Sequence, residues 1–270
     1  MAQFNKLLKS FRIPLLIIPV MLSVPACNDS EEIVQSSRLV LSLVDSPADY
    51  EAVNIDIREI SLKTSGMKEN NGWIKLEGFE PGVYNILEFT GGHELKLADM
   101  EFPAGKITQL QLKIGSDNSL IIRDYTSNLL NSNNSSSGIL LNVDIDIQPG
   151  VNHYYKLDFD ASRSVVALGK TGQMILKPVL RLFSDDETGS VTGKVLPASE
   201  NVLINVIEGS KIVASSYATK NVSAFLIPGI DEGIYRISLV MNNDSEQIFF
   251  ENIEVVNGKV KDLGIISLED

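Results

Sequence analysis

The chain reads as an all-β protein, two β-sandwich domains in tandem, and three observations predict it. Apolar and polar residues alternate with a period of two through most of the sequence after residue 38. Clusters of Gly, Asn, Ser and Asp cut that alternation into short runs. No stretch carries the 3.6-residue period of a convincing amphipathic helix.

The clearest strand is Val53-Asn54-Ile55-Asp56-Ile57-Arg58-Glu59-Ile60-Ser61-Leu62, with Val53, Ile55 and Ile57 on one face and Asn54, Asp56 and Arg58 on the other. The same alternation predicts strands over 107–114, 141–147 and 155–159, with loops at Gly91-Gly92 and from Asn131 to Gly138. The Asn- and Ser-rich run from Ser127 to Ser137 has no apolar period and reads as the most mobile connection of the first domain. Ser184-Asp185-Asp186-Glu187-Thr188 is a polar break between two apolar strands, so the domains are expected at 38–184 and 188–270. In the second, strands are predicted over 190–195, 201–207, 211–217, 223–226, 233–240, 245–256 and 259–268. Seven short strands in that length favour a sandwich.

The chain has 270 residues, 44% of them hydrophobic and 21% charged, with a mean hydropathy of +0.08, as a folded protein requires. The first 26 residues hold three basic side chains and no acidic one. The remainder carries 20 Lys and Arg against 35 Asp and Glu, a net of −15. A body so acidic, without a basic cluster, argues against nucleic-acid binding, which depends on cations facing phosphates. One cysteine excludes an internal disulfide and disfavours a thiolate metal site.

Met1 to Arg12 is basic, Ile13 to Val24 is apolar but interrupted by Pro14 and Pro19, and the run ends at Val24-Pro25-Ala26-Cys27. That is the layout of an export signal, too short and proline-broken for a spanning helix. Val24-Pro25-Ala26-Cys27 resembles the lipobox of bacterial lipoproteins, which implies that residues 1–26 are a signal peptide and that Cys27 is lipidated. Residues 27–37 then form an acidic tether, and two or more acyl chains anchor stably. Asn28-Asp29-Ser30-Glu31-Glu32 resembles signals that send some lipoproteins to the outer face of the outer membrane; a plain solvated linker is the alternative.

Asp45-Ser46-Pro47-Ala48-Asp49-Tyr50-Glu51-Ala52-Val53-Asn54-Ile55 resembles the opening of a domain-of-unknown-function family found in bacterial lipoproteins. Gly82-Val83-Tyr84-Asn85-Ile86-Leu87, Pro103-Ala104-Gly105-Lys106-Ile107-Thr108-Gln109, Leu157-Asp158-Phe159-Asp160-Ala161 and Leu176-Lys177-Pro178-Val179 continue it in order. The likeness runs from about Leu39 to Phe183 and implies a fold without an established activity. Gly189-Ser190-Val191-Thr192-Gly193-Lys194-Val195 and Phe225-Leu226-Ile227-Pro228-Gly229-Ile230-Asp231-Glu232-Gly233-Ile234-Tyr235 resemble the carboxypeptidase-regulatory or transthyretin-like sandwich, immunoglobulin-like or prealbumin-like in build. Such domains usually serve as accessory modules and are similar in fold to carbohydrate-binding sandwiches, a likeness that does not itself assign sugar binding.

Catalytic chemistry is poorly supplied. The two histidines, His93 and His153, lie in separate segments, and there is no G-x-S-x-G elbow, H-E-x-x-H pair or glycine-rich phosphate loop. Carboxylates are the richer resource. Asp45 and Asp49 bracket Ser46-Pro47-Ala48 and are candidate calcium ligands, the competing role being to cap backbone N–H groups of a turn. Asp144/Asp146 and Asp158/Asp160 are spaced to share a strand face, as a cation site or, more simply, as solvated acidic surface. Trp73 and Tyr125 are candidate stacking platforms for a sugar, and one ring of each doublet, Tyr154/Tyr155 and Phe249/Phe250, should face outward. Tyr84 and Tyr235, both in Gly-x-Tyr, read as structural.

The function expected is therefore a non-catalytic, lipid-anchored binding or presentation module of the cell envelope, periplasmic or surface-exposed at the outer membrane. Its expected partners are the membrane, through the lipid, and a glycan or an envelope protein. The alternatives are an envelope hydrolase working through paired Asp residues and a fimbrial or assembly component acting by strand pairing.

Overall fold

A computed structural model describes residues 36–123, 125–131, 138–169, 173–198, 201–220, 222–241 and 247–268. Cys27, the tether that follows it and residues 132–137 of the Asn/Ser run lie outside the described residues. The architecture is all-β, as the alternation predicts.

The strands of the first half are β1 (Ser36–Val44), β2 (Ala52–Thr64), β3 (Trp73–Lys75), β4 (Gly82–Asn85), β5 (Leu95–Pro103), β6 (Gly105–Ile114) and β7 (Ser119–Ile122). They continue with β8 (Tyr125–Asn128), β9 (Leu130–Asn131), β10 (Ile139–Ile147), β11 (Asn152–Phe159), the single-turn helix α1 (Ala161–Ser164), β12 (Val165–Ala167), β13 (Met174–Leu176) and β14 (Leu180–Phe183). One sheet runs β14-β11-β1-β5, with β1 and β11 parallel. The facing sheet runs β10-β6-β2-β7-β8, with β3 and β4 paired to β2, and a small sheet joins β12, β13 and β9. Between the two larger sheets lies a continuous core. Leu39, Leu41 and Leu43 of β1 contribute from one side, Val53, Ile55 and Ile57 of β2 from the other, and Leu110, Leu112, Leu157 and Phe159 complete it. Each set alternates in sequence, so one face of each strand is buried.

The second half holds β15 (Gly189–Leu196), β16 (Val202–Glu208), β17 (Lys211–Ala218), β18 (Ala224–Ile230), β19 (Gly233–Val240), β20 (Gln247–Val255) and β21 (Val260–Ser267). Sheets β18-β15-β21 and β17-β16-β19-β20 enclose a separate core built from Val191, Ile204, Val206, Ile227, Ile237, Leu239 and Val255. Between the halves, Ser184–Thr188 forms a turn closed by Glu187 N–H to Ser184 O (3.2 Å) and Thr188 Oγ1 to Ser184 O (2.7 Å).

The two Gly-x-Tyr elements repeat one device. Tyr84 Oη donates to Glu80 O at 2.5 Å and Tyr235 Oη to Asp231 O at 2.9 Å, tying each strand start to the chain four residues earlier. Each ring lies over the preceding glycine, where a Cβ would meet it at 3.5 Å for Gly82 and 3.2 Å for Gly233.

Two sequence expectations are corrected. Part of the run expected as a loop is ordered strand, Tyr125–Asn128 pairing with β7 and Leu130–Asn131 with β13. Backbone pairing there overrides a composition that lacks an apolar period. Asp56, assigned by alternation to a polar face, is fully buried, because the segment 115–118 folds over it. Asn118 Oδ1 accepts from Asp56 N–H (2.9 Å), and Arg58 Nη2 donates to Asp56 Oδ2 at 2.7 Å. Among the described residues no helix is long and apolar enough to cross a membrane.

Candidate functional site

Three segments of the sequence likeness, 45–55, 157–161 and 176–179, are distant in sequence and meet in space. Asp45 N–H donates to Phe89 O at 2.9 Å, and Asp45 Oδ1 accepts from Ala161 N–H at 3.1 Å. Asp160 caps α1, its Oδ1 accepting from Arg163 N–H at 3.0 Å, while its own N–H donates to Val179 O at 3.0 Å. Val179 N–H in turn donates to Ser164 Oγ at 2.9 Å. The Asp45–Tyr50 segment, the end of β11 and the Lys177-Pro178-Val179 turn thus form one hydrogen-bonded node.

That node abuts the second sandwich. Tyr217 N–H of β17 donates to Pro47 O at 3.0 Å, and the Tyr217 ring packs against the first core. Arg181 of β14 bridges the seam: Nε and Nη2 donate to Asp158 Oδ2 at 2.9 and 2.6 Å, and Nη1 donates to Gly229 O at 2.8 Å and Pro228 O at 3.2 Å. Asp158 and Asp160 are therefore not solvated surface. Both are buried, Asp158 facing the Arg181 guanidinium and Asp160 spending its Oδ1 on the cap of α1. Asp144, by contrast, is exposed on β10 and pairs with Lys106.

Burial pushes the Asp45 carboxyl well above the usual carboxylate range, and the nearby Asp158 and Asp160 charges push the same way. Among the described residues its Oδ2 is buried without a hydrogen-bond partner. A raised folded-state value means that the folded protein holds this proton more tightly than the unfolded chain. The stability tied to it is full at low pH and is lost as pH rises above the ordinary carboxylate range. Asp45→Asn keeps an acceptor for Ala161 N–H and removes the charge. The variant should gain about 1–2 kcal/mol over wild type at pH 8 and match it near pH 4. Urea unfolding across that range checks this; parallel pH profiles would contradict it.

On the open side of the same segment is a cleft of about 330 Å³. The first sandwich supplies Asp49, Tyr50, Glu51, Ile122 and Arg123, and the second supplies Asn201, Thr219 and Lys220. Asn201 is the pivot, its Nδ2 donating to Asp49 and its Oδ1 accepting from Lys220 N–H at 2.9 Å. Lys220 sits in a turn closed by reciprocal Thr219 and Val222 hydrogen bonds of 2.9 and 3.0 Å. Arg123 follows β7 in the tight connection to β8 and adopts φ +50. Hairpin turns call for this left-handed backbone, which glycine or asparagine usually supplies, and holding arginine there costs about 1–2 kcal/mol.

The sequence-selected residues divide around this cleft. Asp49 lines it, and Tyr125 stands directly opposite Ile122 in the β7–β8 ladder, 72% exposed. Asp45 and Asp49 are not brought together on a cation: one carboxylate turns inward to Ala161 and the other to Asn201. Among the described residues no group of three or more His, Cys, Asp or Glu is placed to hold a metal. Trp73 is half-buried at the start of β3, away from the cleft lining, with Lys63 Nζ 5.7 Å above its ring. Tyr154 and Phe249 are the exposed members of their doublets. Arg123, Asn201 and Lys220 had no sequence signal beyond their place in turns, since the cleft joins residues up to 172 positions apart, Ala48 to Lys220, only through the seam.

No curated protein matches the chain in sequence. Among solved structures, the TIE protein of Bacillus anthracis is 16% identical, with 86% of this chain and 34% of that one covered and a TM-score of 0.21. A fimbrial protein from Bacteroides ovatus is 10% identical, covering 87% and 50%, with a TM-score of 0.22. The fimbrial anchor protein Mfa2 of Porphyromonas gingivalis is 8% identical, covering 82% of each chain, with a TM-score of 0.18. The chain thus spans about a third of the first of these and half of the second. A family model does match, over residues 36–178, and these include the segments that build the node beneath the cleft except Val179, with Arg181 also outside the match. Over more than half its length, then, the chain belongs to the family described as Domain of unknown function (DUF4382).

Proposed function

We propose that this is a non-catalytic, lipid-anchored protein of the outer membrane whose two sandwiches bind a glycan in the cleft between them. The cleft carries the reading. It combines acceptors (Asp49, Glu51) with donors (Arg123, Lys220), and Tyr125, paired with the lining residue Ile122, leaves an exposed ring beside it, the mixture that polyhydroxylated ligands engage. A hydrolase reading has less support, since Asp158 is committed to Arg181 and Asp160 to a helix cap. We read the second sandwich as one of the carboxypeptidase-regulatory or transthyretin-like kind, a reading supported by its seven strands in two sheets.

Binding is tested on a glycan array and by calorimetry. Tyr125→Ala should lower affinity about tenfold while leaving the melting temperature unchanged. Absence of any glycan binding would remove the reading. Anchoring is tested separately: Cys27→Ala should abolish metabolic lipid labelling and move the protein to the soluble fraction, and unchanged membrane fractionation would contradict it.

A second reading has one observation in its favour. β21 is an edge strand of its sheet and leaves Val260 and Ile265 well exposed, so a partner strand could pair along it.

A further inference from the structure

We infer that the ligand of the seam cleft is an acidic glycan, an oligosaccharide containing uronic acid residues whose carboxylate is taken by Arg123 and Lys220; this rests on the glycan reading above. The body of the chain carries a net of −15, yet the cleft brings together one exposed cation from each sandwich. Among the described residues neither Arg123 nor Lys220 is in an ion pair. The larger cleft beside β1, of about 410 Å³, differs in this respect. Its Arg38 donates from Nε and Nη2 to the two oxygens of Asp99 at 2.7 and 2.9 Å, so that charge is already matched.

The backbone that carries each cation of the seam cleft is also fixed. Arg123 occupies a left-handed turn position, and the Lys220 backbone is tied to Asn201, which is tied in turn to Asp49 across the seam. A planar guanidinium and an ammonium lining one cleft suit a carboxylate. Densely charged phosphate or sulfate polymers suit the cleft less well, because Asp49 and Glu51 line it too and the acidic body repels them. A uronic acid carries one charge per residue, and its hydroxyls can donate to those same carboxylates. The Tyr125 ring, opposite Ile122, offers a face to the sugar ring.

The test titrates the full-length protein with oligogalacturonate and oligomannuronate, with their fully methyl-esterified forms, and with neutral oligosaccharides of the same length. At least one acid should bind at least tenfold more tightly than its ester, with affinity falling as salt is raised. Arg123→Gln and Lys220→Gln should each lose about tenfold toward that acid and nothing toward the ester, with circular dichroism and melting unchanged. Equal binding of acid and ester, or acid binding that both variants retain, overturns the inference. Binding of neutral glycans alone, lost in Tyr125→Ala, overturns it as well but leaves the glycan reading standing. Binding of none of these probes, nor of any glycan on the array, removes both.

Discussion

Arg181→Met is expected to cost about 3–5 kcal/mol of folding stability, the range seen when one partner of a buried ion pair is removed. The reason is what it leaves behind. Asp158 is 2% exposed, and the Arg181 guanidinium is its counter-charge. Without it, a carboxylate stays in a region that water does not reach, and Gly229 O and Pro228 O across the seam lose their donor. The double variant Arg181→Met/Asp158→Asn should recover much of the loss, because removing both charges removes the desolvation penalty even though the seam bonds stay broken. Urea unfolding measures both. Because Arg181 ties the first core to β18, the single variant should also split unfolding into two transitions, one for each sandwich. A cost below about 1 kcal/mol would mean that the pair is solvated and the seam is held by other contacts.

Gly229→Ala should cost about 2–5 kcal/mol, and two terms combine to give it. Gly229 has φ +70, where a side chain is strained by about 1–2 kcal/mol. A Cβ at this position would also lie 2.3 Å from Cδ1 of Phe183, a ring buried on the first sandwich. Overpacking of that kind adds about 1–3 kcal/mol. Gly258→Ala separates the terms, since Gly258 has φ +68 with no atom near its Cβ position and carries the backbone penalty alone. Thermal unfolding of the two variants should therefore differ by the seam term. Equal costs would show that Phe183 yields freely and that the seam is loosely packed.

Both substitutions act where the two halves touch, and this is where sequence reasoning reached least far. Strand periodicity is local: Val53, Ile55 and Ile57 declare a buried face because side chains alternate along any strand. The same rule misplaces Asp56 and Asp158, which occupy polar positions of the alternation and yet are buried. Alternation cannot distinguish a solvated carboxylate from one closed over by a loop or met by an arginine from another strand. Only the pairing of β11 with β14 sets Arg181 opposite Asp158.

The candidate site divides in the same way. Asp45, Asp49 and Tyr125 were legible as residues, the first two from their turn context and the third as an exposed-ring candidate. Their roles were not. Asp45 and Asp49 are four apart in sequence and face opposite sides of the segment they flank, one toward Ala161 inside and one toward Asn201 at the cleft. Asn201 and Lys220 become relevant only because β17 lies against Pro47.

By itself, then, the sequence determined the all-β class, the strands of the second sandwich to within a few residues and the family likeness, because each depends on short-range periodicity or on motif residues that lie together in the chain. Tertiary structure decided which carboxylates are buried, where the motif segments converge and that a cleft with two cations opens between the sandwiches. These are properties of packing between elements far apart in the chain, and no local pattern encodes them.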